Sequence, residues 1–179
     1  MSGELCCYGK VHDDCTCRAV REQVNLWSAH IVGLPPKGKA RPRAVVRGGH
    51  AGIAPDKAYA KWQILAIQAV QAIGVPEVPF GARDKPLEVV VVGLRRRQKN
   101  RPSWMPRDWW VPGTRIIATC KPDLDNFEGA VWDVLVHAGV IAEDAYITSG
   151  DGSRLYWAAA GEREGILVTV RAHDWRGEV

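Results

Sequence analysis

The sequence predicts an α+β fold with a mixed β-sheet and two main helices. Two segments repeat apolar residues at the three- or four-residue spacing of an amphipathic helix, and at least four others are short and β-favourable. These helical and extended segments alternate irregularly along the chain, whereas parallel α/β folds alternate strictly. The irregular order therefore favours a mixed sheet.

The first half of the predicted domain holds a strand, a basic loop, a helix and a second strand. The segment "NLWSAHIV" (25–32) partly alternates, and prolines and basic residues follow it. The run "PLEVVVVGL" (86–94) suits a strand buried on both sides. Between them, the segment 54–74 predicts a helix that ends at Gly74 and has one apolar face made of Ala58, Trp62, Leu65, Ala69 and Ile73.

The second half begins with residues 95–114, which are rich in Arg, Pro and Trp, lack periodicity and predict a long loop. "TRIIATC" (114–120) and "GILVTVRA" (165–172) predict two further strands. Between these strands a second helix is predicted, with Gly139 at its end and an apolar stripe of Phe127, Val131, Val134, Leu135 and Ala138.

Residues 1–24 predict a Cys-rich appendage, separate from a domain over 25–179. The appendage contains four of the five cysteines and one histidine between them, namely Cys6, Cys7, His12, Cys15 and Cys17. Thiolates are the usual ligands of Zn²⁺, so a zinc knuckle is one hypothesis. Because the spacing lacks the usual CxxC pair, a Cys-bearing tail without metal is the other.

The charge distribution suggests a polyanionic partner. The net charge is only +4, but basic residues cluster in 35–49 and 94–101. Such patches favour phosphate contacts, although a solvated charged face would have the same composition. No apolar run approaches the roughly 20 residues that span a bilayer, and the start lacks the apolar core of a secretory signal. We therefore expect a cytosolic protein without a membrane partner.

Two aspartates with a single residue between them occur in "KPDLDNFEGAVWDVL" (121–135), directly before the second helical stripe. Residues two apart share a side in extended chain but not in a helix, and Pro122 biases the preceding residue toward extended geometry. We therefore expect extended chain to about Asp125, with Asp123 and Asp125 on one side. Neighbouring carboxylates repel each other unless a cation lies between them, and Mg²⁺ prefers carboxylate, water and phosphate oxygens.

The same residues also fit a purely structural role. Asp125 and Glu128 are spaced as a helix N-cap and its capping box, while Asp123 would interact favourably with the helix dipole. A third acidic group nearby would favour the metal site. Glu143 and Asp144 follow the predicted helix, where a short return could bring them beside its start. From spacing alone both interpretations stay open.

Several of these segments together resemble the RusA-like endodeoxyribonucleases, a family of Holliday junction resolvases common in bacteriophages and prophages. The family has a KPDLDN-type segment, a helix with DAL-like residues, and a DD or ED pair before a hydrophobic residue. Here these are "KPDLDNFEGAVWDVL" and "HAGVIAEDAYI" (137–147), and "PPKGKARPR" (35–43) is similar to a basic segment found upstream. The resemblance covers roughly residues 25–172 and implies a RusA-like fold and a phage or prophage origin.

The resemblance implies a Mg²⁺-dependent, structure-selective endonuclease that acts as a homodimer on branched DNA, the four-way junction, in a bacterial host cell. Each protomer would bind Mg²⁺ through Asp123, Asp125 and Asp144, with Asn126 and Glu143 at neighbouring motif positions. The ion would activate water for in-line attack on a phosphodiester. Junction phosphates would be held by a set of basic residues, namely Lys37, Lys39, Arg41, Arg43, Arg47 and Lys121.

At one position the chain departs from the family pattern. Relatives usually carry a lysine four residues after the second aspartate, whereas this chain has Gly129. If that lysine binds the scissile phosphate, another cation must replace it, and Lys121, Arg154 and the residues 95–101 are candidates. A glycine inside a helix costs about 1 kcal/mol relative to alanine, which predicts close packing or another backbone beside Gly129.

Two other functions stay open at this stage. A non-catalytic DNA-binding protein of the same fold would explain the missing lysine, although the three aspartates argue against it. A metal-dependent sugar transferase could use Asp123 and Asp125 as a DxD motif for a nucleotide diphosphate. The chain is short for such an enzyme, and DNA explains the basic segments better.

Overall fold

The computed structural model describes residues 24–39, 43–47, 50–54, 56–98, 103, 113–119 and 121–173. The predicted appendage and its five candidate zinc ligands, Cys6 to Cys17, lie outside the described residues. The elements, in chain order, are β1 (Asn25–Val32), β2 (Arg43–Arg47), β3 (His50–Ala54), α1 (Lys57–Ile73), β4 (Leu87–Arg95), β5 (Ile116–Ile117), α2 (Leu124–Ala138), a 3₁₀ helix (Asp144–Tyr146), β6 (Ile147–Ser149), β7 (Arg154–Trp157) and β8 (Gly165–Ala172).

The main sheet is mixed, as predicted. Its strand order is β1-β8-β4-β7-β5, and β6 pairs with the start of β4. β4 is antiparallel to β8 but parallel to both β6 and β7. With two main helices packed against this sheet, the fold is α+β, and the predicted fold class is confirmed.

The core lies between the two helices and the centre of the sheet. The pairs Val89–Val170 and Val91–Val168 stand opposite each other on β4 and β8, so their side chains share a face. These valines are at most 1% exposed and belong to the same apolar cluster as the buried residues of α1 and α2. Fully burying such a side chain contributes roughly 1.5–3 kcal/mol, so this face supplies much of the folding free energy.

Gly93 allows α2 to approach the sheet closely. A Cβ added at this residue of β4 would lie 2.8 Å from Cε1 of Phe127 and 2.6 Å from Cδ2 of Leu155, distances that real Cβ atoms do not show. The ring of Phe127 is completely buried. Because Phe127 belongs to the first turns of α2, this contact fixes the start of the helix relative to the sheet.

The apolar stripe predicted for α2 is confirmed. Its five predicted members are all buried, and Ala130 joins them. Gly139 ends the helix in the left-handed conformation at φ 85°, as the sequence predicted. The 3.6-residue periodicity of the apolar residues therefore identified both the helix and its buried face.

The face predicted for α1 is only partly correct. The helix ends at Gly74 as expected, but its buried residues are Trp62, Ala66 and Val70, whereas Leu65 and Ile73 are 46% and 48% exposed. Nearly every position of this helix without a Lys or Gln is apolar, so sequence periodicity cannot select one stripe. The contact with α2 selects the Trp62 stripe.

Three predicted loops or strands also differ in detail. The basic loop predicted after β1 ends at Arg43, where β2 begins; β2 is antiparallel to β3, and neither strand was predicted from the sequence. The β-branched content of β2 and the Gly-Gly sequence between the two strands favour such a hairpin. The strand predicted at 114–120 is reduced to two residues at the edge of the sheet, paired with β7. Of the loop predicted over 95–114, most lies outside the described residues.

Within the described ranges, no helix is long and apolar enough to cross a bilayer. The strands predicted at 25–32 and 165–172 are observed as β1 and β8, and "PLEVVVVGL" forms β4 with Leu87, Val89, Val91 and Leu94 buried.

Candidate active site at the start of the second helix

The two aspartates lie at the entrance of α2, but not as predicted. Helix α2 begins at Leu124, so Asp123 is its N-cap in extended conformation and Asp125 already lies in its first turn. The expectation that the chain stays extended to about Asp125 is therefore wrong. The helix starts earlier because Phe127 is already part of its buried stripe, so the residues just before Phe127 form the first turn. Both aspartates remain exposed to solvent.

Neither aspartate caps the helix through a side-chain hydrogen bond. At the start of α1, Asp56 accepts a hydrogen bond from the backbone N–H of Tyr59 at 2.9 Å, whereas Asp123, at the equivalent position of α2, makes no side-chain cap bond. The capping box proposed for Asp125 and Glu128 is also wrong, because Asp125 is inside the helix and an oxygen of Glu128 lies against Gly150. The capping role considered for Asp125 and Glu128 is therefore not observed.

The carboxylates of Asp123 and Asp125 carry negative charge at the positive end of the α2 dipole. Neither forms a hydrogen bond or an ion pair with a described residue, and the same holds for Asp144. Asp144 opens the 3₁₀ helix, which contacts α2, and Glu143 precedes it as an exposed N-cap without a side-chain bond. These groups are accessible oxygen donors of the kind that Mg²⁺ prefers.

Among the residues that the structure describes, no three His, Cys, Asp or Glu side chains are grouped as a ready metal site. The donor chemistry of the aspartates fits Mg²⁺, but the set of Asp123, Asp125 and Asp144 stays a prediction. The zinc hypothesis concerns residues outside the described part of the chain and stays a prediction as well.

One side of the aspartates is formed by the basic segment 35–39. A Cβ added at Gly38 would lie 2.6 Å from Cβ of Pro122, so the two segments of the chain are in direct contact. The backbone N–H of Lys39 donates to the carbonyl oxygen of Asn126 at 2.9 Å. The segment that resembles the upstream family motif is therefore packed against the aspartate motif, although more than 80 residues separate them in sequence.

The Lys39 side chain continues along α2 to Asp133. Its Nζ lies 2.9 Å from Oδ2 and 3.1 Å from Oδ1 of that carboxylate. The hydroxyl of Tyr59 donates to Oδ2 of Asp133 at 3.4 Å. Burial, together with the charge and the hydrogen bond of Asp133, raises the pKa of Tyr59 to about 12. Tyr59 therefore stays a neutral hydrogen-bond donor at any physiological pH.

The other side of the aspartates is a cleft of about 460 Å³ between α2 and the turn before β7. Its lining residues come from the two sequence segments and are Leu124, Glu128, Trp132, Gly150, Asp151, Gly152, Ser153 and Arg154. The buried Nε1 of Trp132 has no hydrogen-bond partner among the described residues. Neither Asp151 nor Trp132 was predicted as a site residue, and the Gly-Asp-Gly-Ser sequence after β6 is a turn signal for Asp151 alone.

The remaining predicted DNA-binding residues are distributed unevenly. Lys37 and Lys121 lie beside the aspartate motif, and Lys121 is exposed. Arg95 donates a hydrogen bond to the carbonyl of Lys121 and stacks over the Trp157 ring at 5.7 Å. Arg43 and Arg47 are the first and last residues of β2. Arg41 lies outside the described residues.

The surface at Gly129 is open, contrary to the sequence prediction. A Cβ built on this residue would meet no heavy atom within 4 Å. Neither close packing nor another described backbone explains the glycine, and a Cβ would fit there.

Replacing Gly129 by alanine is expected to raise the free energy of unfolding by up to about 1 kcal/mol, because alanine favours the helix and meets no obstacle. The melting temperature should rise by about 2–4 °C for each kcal/mol in a chain of this size. Thermal unfolding monitored by circular dichroism measures this. The matched control is Gly139→Ala at the C-terminal end of the same helix, which is expected to destabilise because Gly139 has φ +85°. A destabilised Gly129→Ala variant would contradict the open geometry.

The chain is a member of a known class of nucleases. The family described as "Endodeoxyribonuclease RusA" matches residues 33–171, a range that contains every residue of the site above. The chain therefore belongs to the RusA endodeoxyribonuclease family, as its motifs predicted, and nuclease activity is the function of that family.

A curated protein that is named as a glycosyl hydrolase is also similar to part of the chain. Glycosyl hydrolase family 109 protein 1 from Phocaeicola vulgatus is 32% identical over 110 residues, which make up 58% of this chain and 22% of that protein. The chain thus spans about a fifth of the length of this relative. The match is too partial to carry the relative's named activity to this chain.

Proposed function

We propose that the protein is a Mg²⁺-dependent, structure-selective endonuclease that resolves Holliday junctions by paired phosphodiester hydrolysis. The observation that carries the proposal is the pair Asp123 and Asp125. In a chain of the RusA family, these two carboxylates are exposed at the start of α2 and are not used for capping. Unpaired like charges held together at one place favour a cation as their partner.

In this proposal Asp123, Asp125 and Asp144 hold Mg²⁺, and Asn126 and Glu143 support them. The ion, when bound, supplies activation of water and charge stabilisation at the phosphate. The cations predicted from the sequence orient the DNA backbone, a role that needs positive charge within reach of phosphate oxygens. These cations are Lys37, Lys39, Arg41, Arg43, Arg47 and Lys121.

A homodimer would place one site on each of two opposed strands, so that paired nicks separate the junction into two duplexes. The outer surface of α1 supports this proposal. Ile64 and Leu65 are neighbouring apolar residues of this helix that are 56% and 46% exposed. Apolar residues grouped on a surface are typical of protein interfaces. We also propose action in the cytoplasm of a bacterial host cell and a phage or prophage origin.

A non-catalytic junction-binding protein is the second candidate, favoured by Gly129 in place of the lysine of relatives. The two candidates differ in turnover and not in binding. The retained aspartates, which have no side-chain partner among the described residues, favour the enzyme, because a protein that only binds DNA gains nothing from negative charge next to phosphates.

The purified protein is expected to cut a labelled four-way junction at two symmetric positions when Mg²⁺ is present. Linear duplex of the same sequence should stay intact, and chelator should stop cleavage while leaving junction binding. Gel separation of nicked and bound species measures both properties. Tight junction binding without cleavage in any divalent ion would overturn the enzyme in favour of the binding protein.

A further inference from the structure

The Lys39 side chain is bound to α2 one helical turn beyond Gly129, at Asp133. Asp133 follows Gly129 by one helical turn, and helical side chains lean toward the N-terminus of the helix, so the Asp133 carboxylate covers the turn at Gly129. The Lys39 ammonium bound to this carboxylate therefore lies on the face of α2 that carries Gly129, where an added Cβ would meet no heavy atom within 4 Å. Asp125 stands one turn nearer the helix start on the same face.

The position of Lys39 is fixed from both ends of its loop. At the beginning of the loop, the carbonyl oxygen of Pro35 accepts a hydrogen bond from Nε1 of Trp62 at 2.9 Å. At its end, the backbone of Lys39 is bound to α2, and Tyr59 supports the carboxylate that holds its ammonium. Tyr59 itself stacks on Trp62 at 5.8 Å between ring centroids. Helix α1 thus fixes both the loop and the acceptor of its lysine.

The ion pair does not prevent Lys39 from binding a phosphate. The two side chains are 53% and 21% exposed, and a pair of this kind is worth about 0–1 kcal/mol. An ammonium has three N–H donors, and the two oxygens of Asp133 engage at most two of them. A donor therefore remains for a phosphate oxygen that arrives at the surface of Gly129.

We propose that Lys39 binds the DNA phosphate next to the bond that is cleaved, and that Asp133 and Tyr59 are positioning residues that hold it on the face of α2 that carries Gly129. The proposal rests on the proposed function, since it concerns the same site and the same phosphodiester. Lys39 differs from the other predicted DNA-binding residues because the described contacts hold its ammonium against the helix that carries Asp125. The positive charge that relatives carry on the helix is here supplied by the loop.

The test is a rescue experiment in the full-length protein. Lys39→Ala is expected to lower the single-turnover rate of junction cleavage by at least about tenfold, as expected when one charge-stabilising group is removed from a site. Adding Gly129→Lys to this variant should restore the rate to within a few-fold of wild type. The matched control is Lys85→Ala, an exposed lysine in the turn before β4, which should leave the rate unchanged.

Asp133→Asn tests the positioning role. This variant loses the ion pair but keeps the side-chain size, so the cleavage rate is expected to fall less than in Lys39→Ala. Gly129→Lys should rescue it as well, because a lysine on the helix needs no partner from the loop. A purely structural defect at Asp133 would not be corrected by a lysine at position 129.

Wild-type cleavage rates in Lys39→Ala would overturn the inference, as would a failure of Gly129→Lys to rescue either variant. Binding provides a second measurement that does not need turnover. With chelator present, the slope of log affinity against log salt should fall by about one in Lys39→Ala, as for one lost phosphate contact, and return in the double variant. A wild-type protein that binds but never cuts would refute the proposed function, whereas an unchanged slope would refute the role of Lys39.

Discussion

Asp125→Asn is expected to lower junction cleavage by two or more orders of magnitude, the scale of loss when a group that stabilises developing charge is removed. Junction binding should stay as tight as in the wild type or become tighter. Asparagine keeps the shape of the side chain but removes the negative charge. The substituted residue is therefore a poorer ligand for Mg²⁺ and also repels phosphate less.

The fold should tolerate this substitution. Asp125 is exposed in the first turn of α2 and makes no bond with a described residue, so the change removes only a favourable interaction with the helix dipole. That interaction is worth about 0.3–1 kcal/mol. A large loss of cleavage with an unchanged unfolding curve would therefore locate the defect in the chemistry.

Single-turnover cleavage with Mg²⁺ and binding with chelator should be measured side by side. Asp84→Asn, an exposed aspartate in the turn before β4, is the matched control and should behave as wild type. Near-normal cleavage by Asp125→Asn would exclude this residue as a metal ligand. Asp123→Asn and Asp144→Asn should match Asp125→Asn. If only Asp144→Asn stays active, Asp151 of the neighbouring cleft becomes the candidate for the third ligand.

Phe127→Ala is expected to lower the free energy of unfolding by about 3–5 kcal/mol, the range for large-to-small changes of buried aromatic residues. The ring is completely buried and touches Gly93 and Leu155 on the sheet, so its removal leaves a cavity between α2 and the sheet. Domains are stable by about 5–15 kcal/mol in total, so this variant should be close to unfolding.

Urea unfolding of the variant and of two controls measures the effect. Phe127→Leu keeps part of the apolar volume and should lose less stability than Phe127→Ala. Ile117→Ala removes a side chain that is 59% exposed on β5 and should change stability by about 0.5 kcal/mol or less. A loss below 1 kcal/mol in Phe127→Ala would show that the ring does not anchor α2 as described.

The two predictions concern neighbouring residues of one helix with opposite roles. Phe127 points into the core and fixes where α2 begins, and Asp123 and Asp125 are exposed directly before it. The core contact therefore sets the place of the aspartates on the surface. At a temperature at which Phe127→Ala remains folded, impaired cleavage would report this dependence.

Local sequence determined a large part of the fold. The stripe from Phe127 to Ala138, the glycines that end both helices and the strands β1, β4 and β8 all follow from periodicity and caps within one segment. The family also followed from local motifs, because the aspartate segment and the ED pair are contiguous in sequence. Such features depend on the intrinsic preferences of neighbouring residues, which are present before the chain folds.

Tertiary structure decided what depends on partners distant in sequence. The apolar residues of α1 allow more than one buried stripe, and packing against α2 selects Trp62, Ala66 and Val70. Whether Asp123 caps its helix, as Asp56 does, depends on the geometry around each helix start and not on the residue type. The approach of Lys39 to Asp133 joins residues 94 positions apart. Spacing in the sequence carries no information on such contacts, because they form only when separate elements pack together.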